Sequence, residues 1–274
     1  MSKSLLMKLD ELIEGKIVKR PSKHIKSPYV ADILCNGEEV LGHTPALGCC
    51  GLSDVNSIVL VANSTNKTNK CSHTVYLSML NEQIIGIHPK LAETLTESAL
   101  NKNMLTRLQN IRQYRRETVI HIKDIVDSRF DFTGIDKDGI PFIMEVKNVP
   151  LADYEDVSAK ERKKMDFTDR DCNSKVAYFP DGYRKKSSDT VSPRALKHIQ
   201  ELTTIKKYSK IRCIMCYVIQ RTDVNRFTPS VIDPEYRAAF KSAIEVGVEI
   251  ITMVVSWNKD GEAYFIRDDL PFCI

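Results

Sequence analysis

The chain has 274 residues, a formal charge of +4, 42% hydrophobic and 28% charged residues. That is enough for one large domain or two smaller ones with a sizeable core, in the proportions of an ordinary soluble globular protein. No apolar run approaches the ~20 residues that a helix needs to span a bilayer, and there is no internal repeat or low-complexity tract, so neither a helical membrane span nor a repeat architecture is expected. The opening MSKSLLMKLDELIEGK places Leu5, Leu6, Leu9, Leu12 and Ile13 at helical spacing, interrupted by Lys8, Asp10 and Glu11. It reads as an amphipathic helix over residues 1–15 and not as a signal peptide. Between 16 and 88, short runs at Lys16–Lys19, Tyr29–Leu34, Glu39–Leu41, Ser57–Ala62, Thr74–Leu80 and Gln83–Ile87 alternate with Gly, Pro, Asn and Ser breaks. This is the texture of a small β-barrel.

The texture changes at about residue 89. Leu91–Asn101 and Met104–Tyr114 read as helices, Glu117–Ile122 as a strand, and two further strands follow around Asp131 and Glu145. Residues 151–175 are polar without sustained apolar period and read as a loop or insertion. Then come a helix at Pro193–Lys207, with Ser192 as N-cap and a proline at its first position, and a buried strand at Ile211–Ile219. A helix at Asp233–Val246, opened by Asp233-Pro234 and stopped by Gly247, precedes a second buried strand at Val248–Ser256. Strands alternating with helices argue an α/β (α+β) layer with mixed strand directions.

Eight cysteines in a long chain with a normal core and no signal point to an intracellular, reducing compartment, cytoplasm or nucleoid or nucleus. Cys213 and Cys216 have CxxC spacing but lie in an apolar strand with no second pair, so they read as buried thiols. Positive charge is clustered: Lys16, Lys19, Arg20, Lys23 and Lys26; Arg112, Arg115 and Arg116; Lys160 to Lys164; Arg184 to Lys186. Such clusters suit a polyanion, because neutralising phosphates releases counterions; any one of them alone is more often just a solvated surface.

The segment Arg129–Val149, RFDFTGIDKDGIPFIMEVKNV, carries the chemistry. Asp136-Lys137-Asp138-Gly139 forms a turn between two antiparallel strands. Along the second strand Glu145 and Lys147 share one face, and with Asp131 on that face two carboxylates and an ammonium converge. Such a group can hold a divalent metal and activate water against a phosphodiester. An exposed Glu-x-Lys pair is usually only a weak ion pair, but here it lies in an apolar strand, where charges tend to be paired or to hold metals.

These residues resemble a known family, the sugar fermentation stimulation protein A (SfsA) proteins, over most of the chain. The RFDF…EVKN segment is similar to the family's RIDF…EVKN, and Tyr178-Phe179-Pro180-Asp181 to its FPD. Ser192 to Leu202 is similar to its T-x-R-G-x-K-H-L-x-E-L helix, with Ser192 and Ala195 as departures. Gln220-Arg221-Thr222-Asp223, Phe227-Thr228-Pro229 and Ile232 to Tyr236 fit its C-terminal pattern, and His43-Thr44-Pro45 an early loop. The resemblance implies an N-terminal OB-like, nucleic-acid-binding barrel over 16–88 and a restriction-endonuclease-like, PD-(D/E)xK domain over 89–274. It implies Asp131, Glu145 and Lys147 as catalytic residues and Mg²⁺ or Mn²⁺ on Asp131, Glu145 and the Val146 backbone carbonyl. Glu97 is a further candidate ligand, or else part of a solvated helix face. Lys147 would orient water or stabilise charge on the phosphate. Phosphate contacts fall to Lys16, Lys19, Arg20 and Lys23 on the barrel and to Arg194, Lys197 and His198 on one side of a helix. Asp181 would support the site or only make a turn; Gln220 would touch nucleic acid or be satisfied in the core. The expected partner is DNA, single-stranded or structured, with no membrane and with a dimer left open. The readings that stand beside a metal-dependent DNA nuclease are a non-catalytic, non-specific DNA-binding regulator of sugar metabolism and an RNA-processing nuclease.

Overall fold

The computed structural model describes residues 4–46, 51–64, 69–123, 125–180 and 190–274. The first half is built from Ser4–Lys8 (β1), Ile13–Lys19 (β2), Val30–Cys35 (β3), Glu38–His43 (β4), Ile58–Asn63 (β5), His73–Leu80 (β6) and Gln83–Gly86 (β7). Strands run in the order β4-β3-β2-β5-β6, and β6 closes onto β4 in parallel through Gly42↔His73 and His43↔Thr74. That closure makes a five-stranded barrel, the OB-like unit expected; β7 extends it from β6. Alternation explains its interior: Ile17, Ile33, Val59, Val61 and Val75 all point inward and are wholly buried.

The second half runs Lys90–Asn101 (α1), Gln113–Ile122 (β8), Val126–Ile135 (β9), Pro141–Val149 (β10), Ala152–Asp153 (β11), Ala159–Arg162 (α2), Lys175–Phe179 (β12) and Pro193–Tyr208 (α3). It continues with Arg212–Ile219 (β13), Val224–Pro229 (β14), Pro234–Glu245 (α4), Glu249–Trp257 (β15) and Glu262–Arg267 (β16). Among the described residues a sheet of order β1-β16-β15-β13-β10-β9-β8 dominates, with β11-β12-β14 as a small side sheet. β13 lies parallel to both β10 and β15 and is covered on both faces, which is why it reads as an unbroken apolar run. On one face Ala195, Ile199 and Leu202 of α3 and Phe240 of α4 pack with Ile143, Val149 and Met215. On the other, Leu91, Leu95 and Ala99 of α1 join Leu60 and Leu77 of the barrel against Met144, Val146 and Val218. Cys213 and Cys216 fall on opposite faces of β13, and burial pushes both thiols up to about 12, as expected of core residues.

Three expectations are corrected. The described part of the expected helix over 1–15, residues 4–15, holds no helix: Leu5 to Lys8 pair with β16, Leu9 donates to Gly261 at 2.8 Å, and Ile13 already belongs to β2. Met104–Tyr114 is not a helix either. Leu105 and Leu108 are buried at helical spacing, but Asn103 and Asn110 both adopt φ of 52°, and Asn110 N–H closes on the Asn103 side chain at 2.7 Å. Left-handed residues at both ends of so short a stretch leave turns instead. The polar 151–175 stretch carries β11 and the single turn α2, held by a Ser158–Glu161 capping box. At α4 the Asp233 side chain caps Tyr236 N–H at 3.1 Å, whereas Ser192 starts α3 without a side-chain cap bond.

Candidate metal centre

The β9–β10 turn is shaped by Asp136. Its Oδ1 accepts from the N–H groups of Asp138 and Ile140 at 2.9 and 2.8 Å, and its Oδ2 from Arg212 at 2.9 Å. Gly139 takes φ of 85°, a value that suits glycine. The β9–β10 ladder then runs from Ile135↔Pro141 to Phe132↔Met144. Asp131 lies one residue past the last pair, and its Oδ2 accepts the Val146 N–H at 2.7 Å. The strands therefore part at Asp131, and a carboxylate satisfies the backbone donor that the ladder leaves.

Glu145 is 2% exposed. Its Oε1 is bound both by the Lys147 ammonium and by Nδ1 of His198 on α3, and the His198 ring packs on Phe130 at 5.6 Å. Its Oε2 is buried with no hydrogen-bond partner among the described residues. Burial pushes the Glu145 carboxyl up, but the Lys147 charge and the His198 bond and charge outweigh it and hold the group below its ordinary value. Asp131 goes the other way. Burial and the charge of Glu145 push it up to about 7, against the pull of Lys147 and the Val146 N–H. The two carboxyls of one cleft are thus shifted in opposite directions. The cleft encloses about 280 Å³ and takes in Asp131, Glu145, Lys147, Asn148, Glu93 and Arg194, with Ala46 and Pro89 reaching it from the barrel side.

A family model described as "Sugar fermentation stimulation protein RE domain" matches residues 161–261. The sugar fermentation stimulation protein homolog of Crocosphaera subtropica is 30% identical over 265 residues, 95% of each chain. The chain belongs to the SfsA family. The homolog of Nitrosococcus oceani is 26% identical over 258 residues, covering 93% of this chain and 95% of the relative. Among solved structures, Pyrococcus furiosus SfsA in complex with Ca²⁺ superposes with a TM-score of 0.76 at 19% identity, over 98% of this chain and 99% of the other. That likeness shows the fold, a barrel followed by mixed sheets with few helices.

Within this SfsA-family chain the other expected site residues separate. His198 is not a phosphate contact: it is 3% exposed and bound to Glu145. Lys197 donates to Asp127 O at 2.6 Å and lies 3.6 Å from Glu201. Arg194 is exposed and lines the cleft. Glu97 is held by Arg116 at 2.7 Å and Tyr114 at 3.1 Å; the carboxylate of α1 that lines the cleft is Glu93, one turn earlier. On the barrel Lys16 and Lys19 are exposed, but Arg20 binds Pro28 O, Ala46 O and Ser53, and Lys23 pairs with Glu39. Gln220 is core-satisfied, bound to Asn148 and, at 2.9 Å, to Trp257. Asp181 lies outside the described residues, as do Arg184 to Lys186. Sequence spacing missed Glu93 and the His198–Glu145 bond. An i, i+4 relation between Glu93 and Glu97 was the available signal for the first; nothing local signals the second.

The donor set fits a hard divalent cation. A buried carboxylate oxygen without a donor is costly, and a second carboxylate beside it raises the cost further. A cation held between Asp131 and Glu145 relieves both. Among the described residues no helix is long and apolar enough to cross a membrane.

Proposed function

We propose that this protein is a Mg²⁺- or Mn²⁺-dependent phosphodiester hydrolase acting on DNA. The observation that carries the reading is the unpartnered, buried Glu145 Oε2 in the same cleft as an Asp131 carboxyl raised to about 7. Asp131 and Glu145 would hold the ion, with the Val146 carbonyl as a further ligand. Bound there, such an ion supplies Lewis acidity and an acidified water. His198 and Lys147 occupy Oε1 and so leave Oε2 as the ligand atom. The Lys147 ammonium, its side chain only 12% exposed, stabilises charge that builds on the phosphate in the transition state. Arg194 on the rim, and Lys16 and Lys19 on the barrel, hold the backbone. Without a cation the carboxylates would repel a phosphate strand, which is why this cleft supports catalysis better than passive binding.

Incubating single-stranded, double-stranded and structured DNA, and RNA, with Mg²⁺, Mn²⁺ or EDTA tests the reading. Cleavage of DNA with metal and none in EDTA is expected. Binding without cleavage of any substrate would point instead to the DNA-binding regulator, and cleavage confined to RNA to the RNA nuclease.

A further inference from the structure

Gln220 sits at the end of β13, fully buried. Its Oε1 accepts the indole N–H of Trp257 at 2.9 Å, and its Nε2 donates to Oδ1 of Asn148. The polarity of this chain is fixed from one end. An indole N–H can only donate, so Gln220 must turn its oxygen to Trp257 and its NH₂ to Asn148. Asn148 must then turn its oxygen inward. Its own NH₂ is left facing away from Gln220, without a hydrogen-bond partner among the described residues, on a residue that lines the cleft with Asp131, Glu145 and Lys147. Alone, a side-chain amide can present either a donor or an acceptor to a ligand; here Trp257, reached through Gln220, decides.

We propose that Asn148 is a substrate-contacting residue: its NH₂ donates to a non-bridging phosphate oxygen of the strand in the cleft, and Trp257 and Gln220 fix that polarity. The inference rests on the nuclease reading above and specifies one of its contacts. A phosphodiester offers only acceptors at those oxygens, so the orientation is the one that binds; the flipped amide would set oxygen against oxygen. The barrel packs directly on this relay. Gly86 of β7 donates to Gln220 O at 3.3 Å, and a Cβ there would fall 1.7 Å from Gln220 Oε1, so close approach requires glycine at this point.

The test is the affinity of a fluorescein-labelled oligothymidylate, read by anisotropy with Ca²⁺, for wild type, Asn148→Ala, Asn148→Asp, Gln220→Glu and the Gln220→Glu/Asn148→Ala pair. Asn148→Ala should weaken binding by roughly tenfold, the scale of one hydrogen bond to a charged group, and Asn148→Asp by more. Gln220→Glu still accepts from Trp257 but offers Asn148 an acceptor, which turns the Asn148 oxygen outward. It should weaken binding about as much as Asn148→Ala, although it touches no DNA. The pair should be no weaker than Asn148→Ala alone, because both act through one contact. The single tryptophan gives one indole N–H resonance, whose retained shift reports that the relay is folded. If Gln220→Glu disrupts the fold, Asn148→Ala and Asn148→Asp, at a half-buried position, decide. Unchanged affinity in Asn148→Ala, or additive losses in the pair, would overturn the proposal while leaving the nuclease reading intact. Failure of the wild type to bind this oligonucleotide, a DNA duplex or a structured DNA would overturn both.

Discussion

Asp131 and Glu145 share one cleft and yet shift in opposite directions, because Glu145 alone is hydrogen-bonded by Lys147 and His198. The consequence for stability has a definite sign. Folding raises the Asp131 pKa, so the native state binds that proton more tightly than the unfolded chain. The stabilising contribution is complete below the ordinary value of 3.8 and is lost as pH rises to about 7. A divalent cation on the ionised carboxylate would restore it. Added Ca²⁺ should therefore raise the melting temperature more at pH 8 than at pH 5 in differential scanning fluorimetry; equal increments would contradict the assignment. Lys147→Ala should slow cleavage by ~10²-fold or more while changing DNA affinity little, since one transition-state stabiliser is lost. Cutting at the wild-type rate would show that the ammonium acts elsewhere. That Asp131, Glu145 and Lys147 face one cleft was legible because strand alternation is a local rule. The place of Glu93 and the bond of His198 to Glu145 were not, because which turn of a helix meets a sheet is decided by packing across the core.

At the scale of elements, the barrel strands, α1, α3, α4 and the buried strands β13 and β15 could be read from periodicity and turn residues. The chain's opening could not. Leu5, Leu6, Leu9 and Leu12 satisfy a helical period, but the β16 edge and the Gly261 turn offer paired backbone bonds that a short helix against solvent cannot match. This N-terminal strand covers the large sheet's edge, and Leu6, 5% exposed, joins the core beneath it. Leu6→Ala should cost about 2–4 kcal/mol of stability in urea unfolding. A loss within ~0.5 kcal/mol, the range of surface substitutions, would mean that the strand is only loosely attached. β12, β14 and β16 escaped the sequence because short strands interleaved with polar residues carry little signal of their own.

For the whole molecule the barrel and the mixed-sheet half share a core, with Leu60 and Leu77 packed among residues of α1 and β10, so the two are held in fixed positions against each other. The family and fold were legible from ordered motifs; the division of labour among the basic residues was not, because a charge run does not show which cations are already paired. Lys16→Ala and Lys19→Ala should each reduce the log–log salt slope of single-strand binding by about 0.7. Arg20→Ala should chiefly lower barrel stability, since that side chain ties the segments at Pro28, Ala46 and Ser53 together; a slope unchanged by either lysine would place the phosphate path elsewhere. The central claim is that one divalent cation belongs between Asp131 and Glu145. Calorimetric titration of Mn²⁺ into wild type and Asp131→Asn measures it directly, since Asn keeps an oxygen for the Val146 N–H and loses only the charge. The expected result is one ion per wild-type chain and no binding at that site in the variant; equal Mn²⁺ affinity in the two proteins would contradict the account.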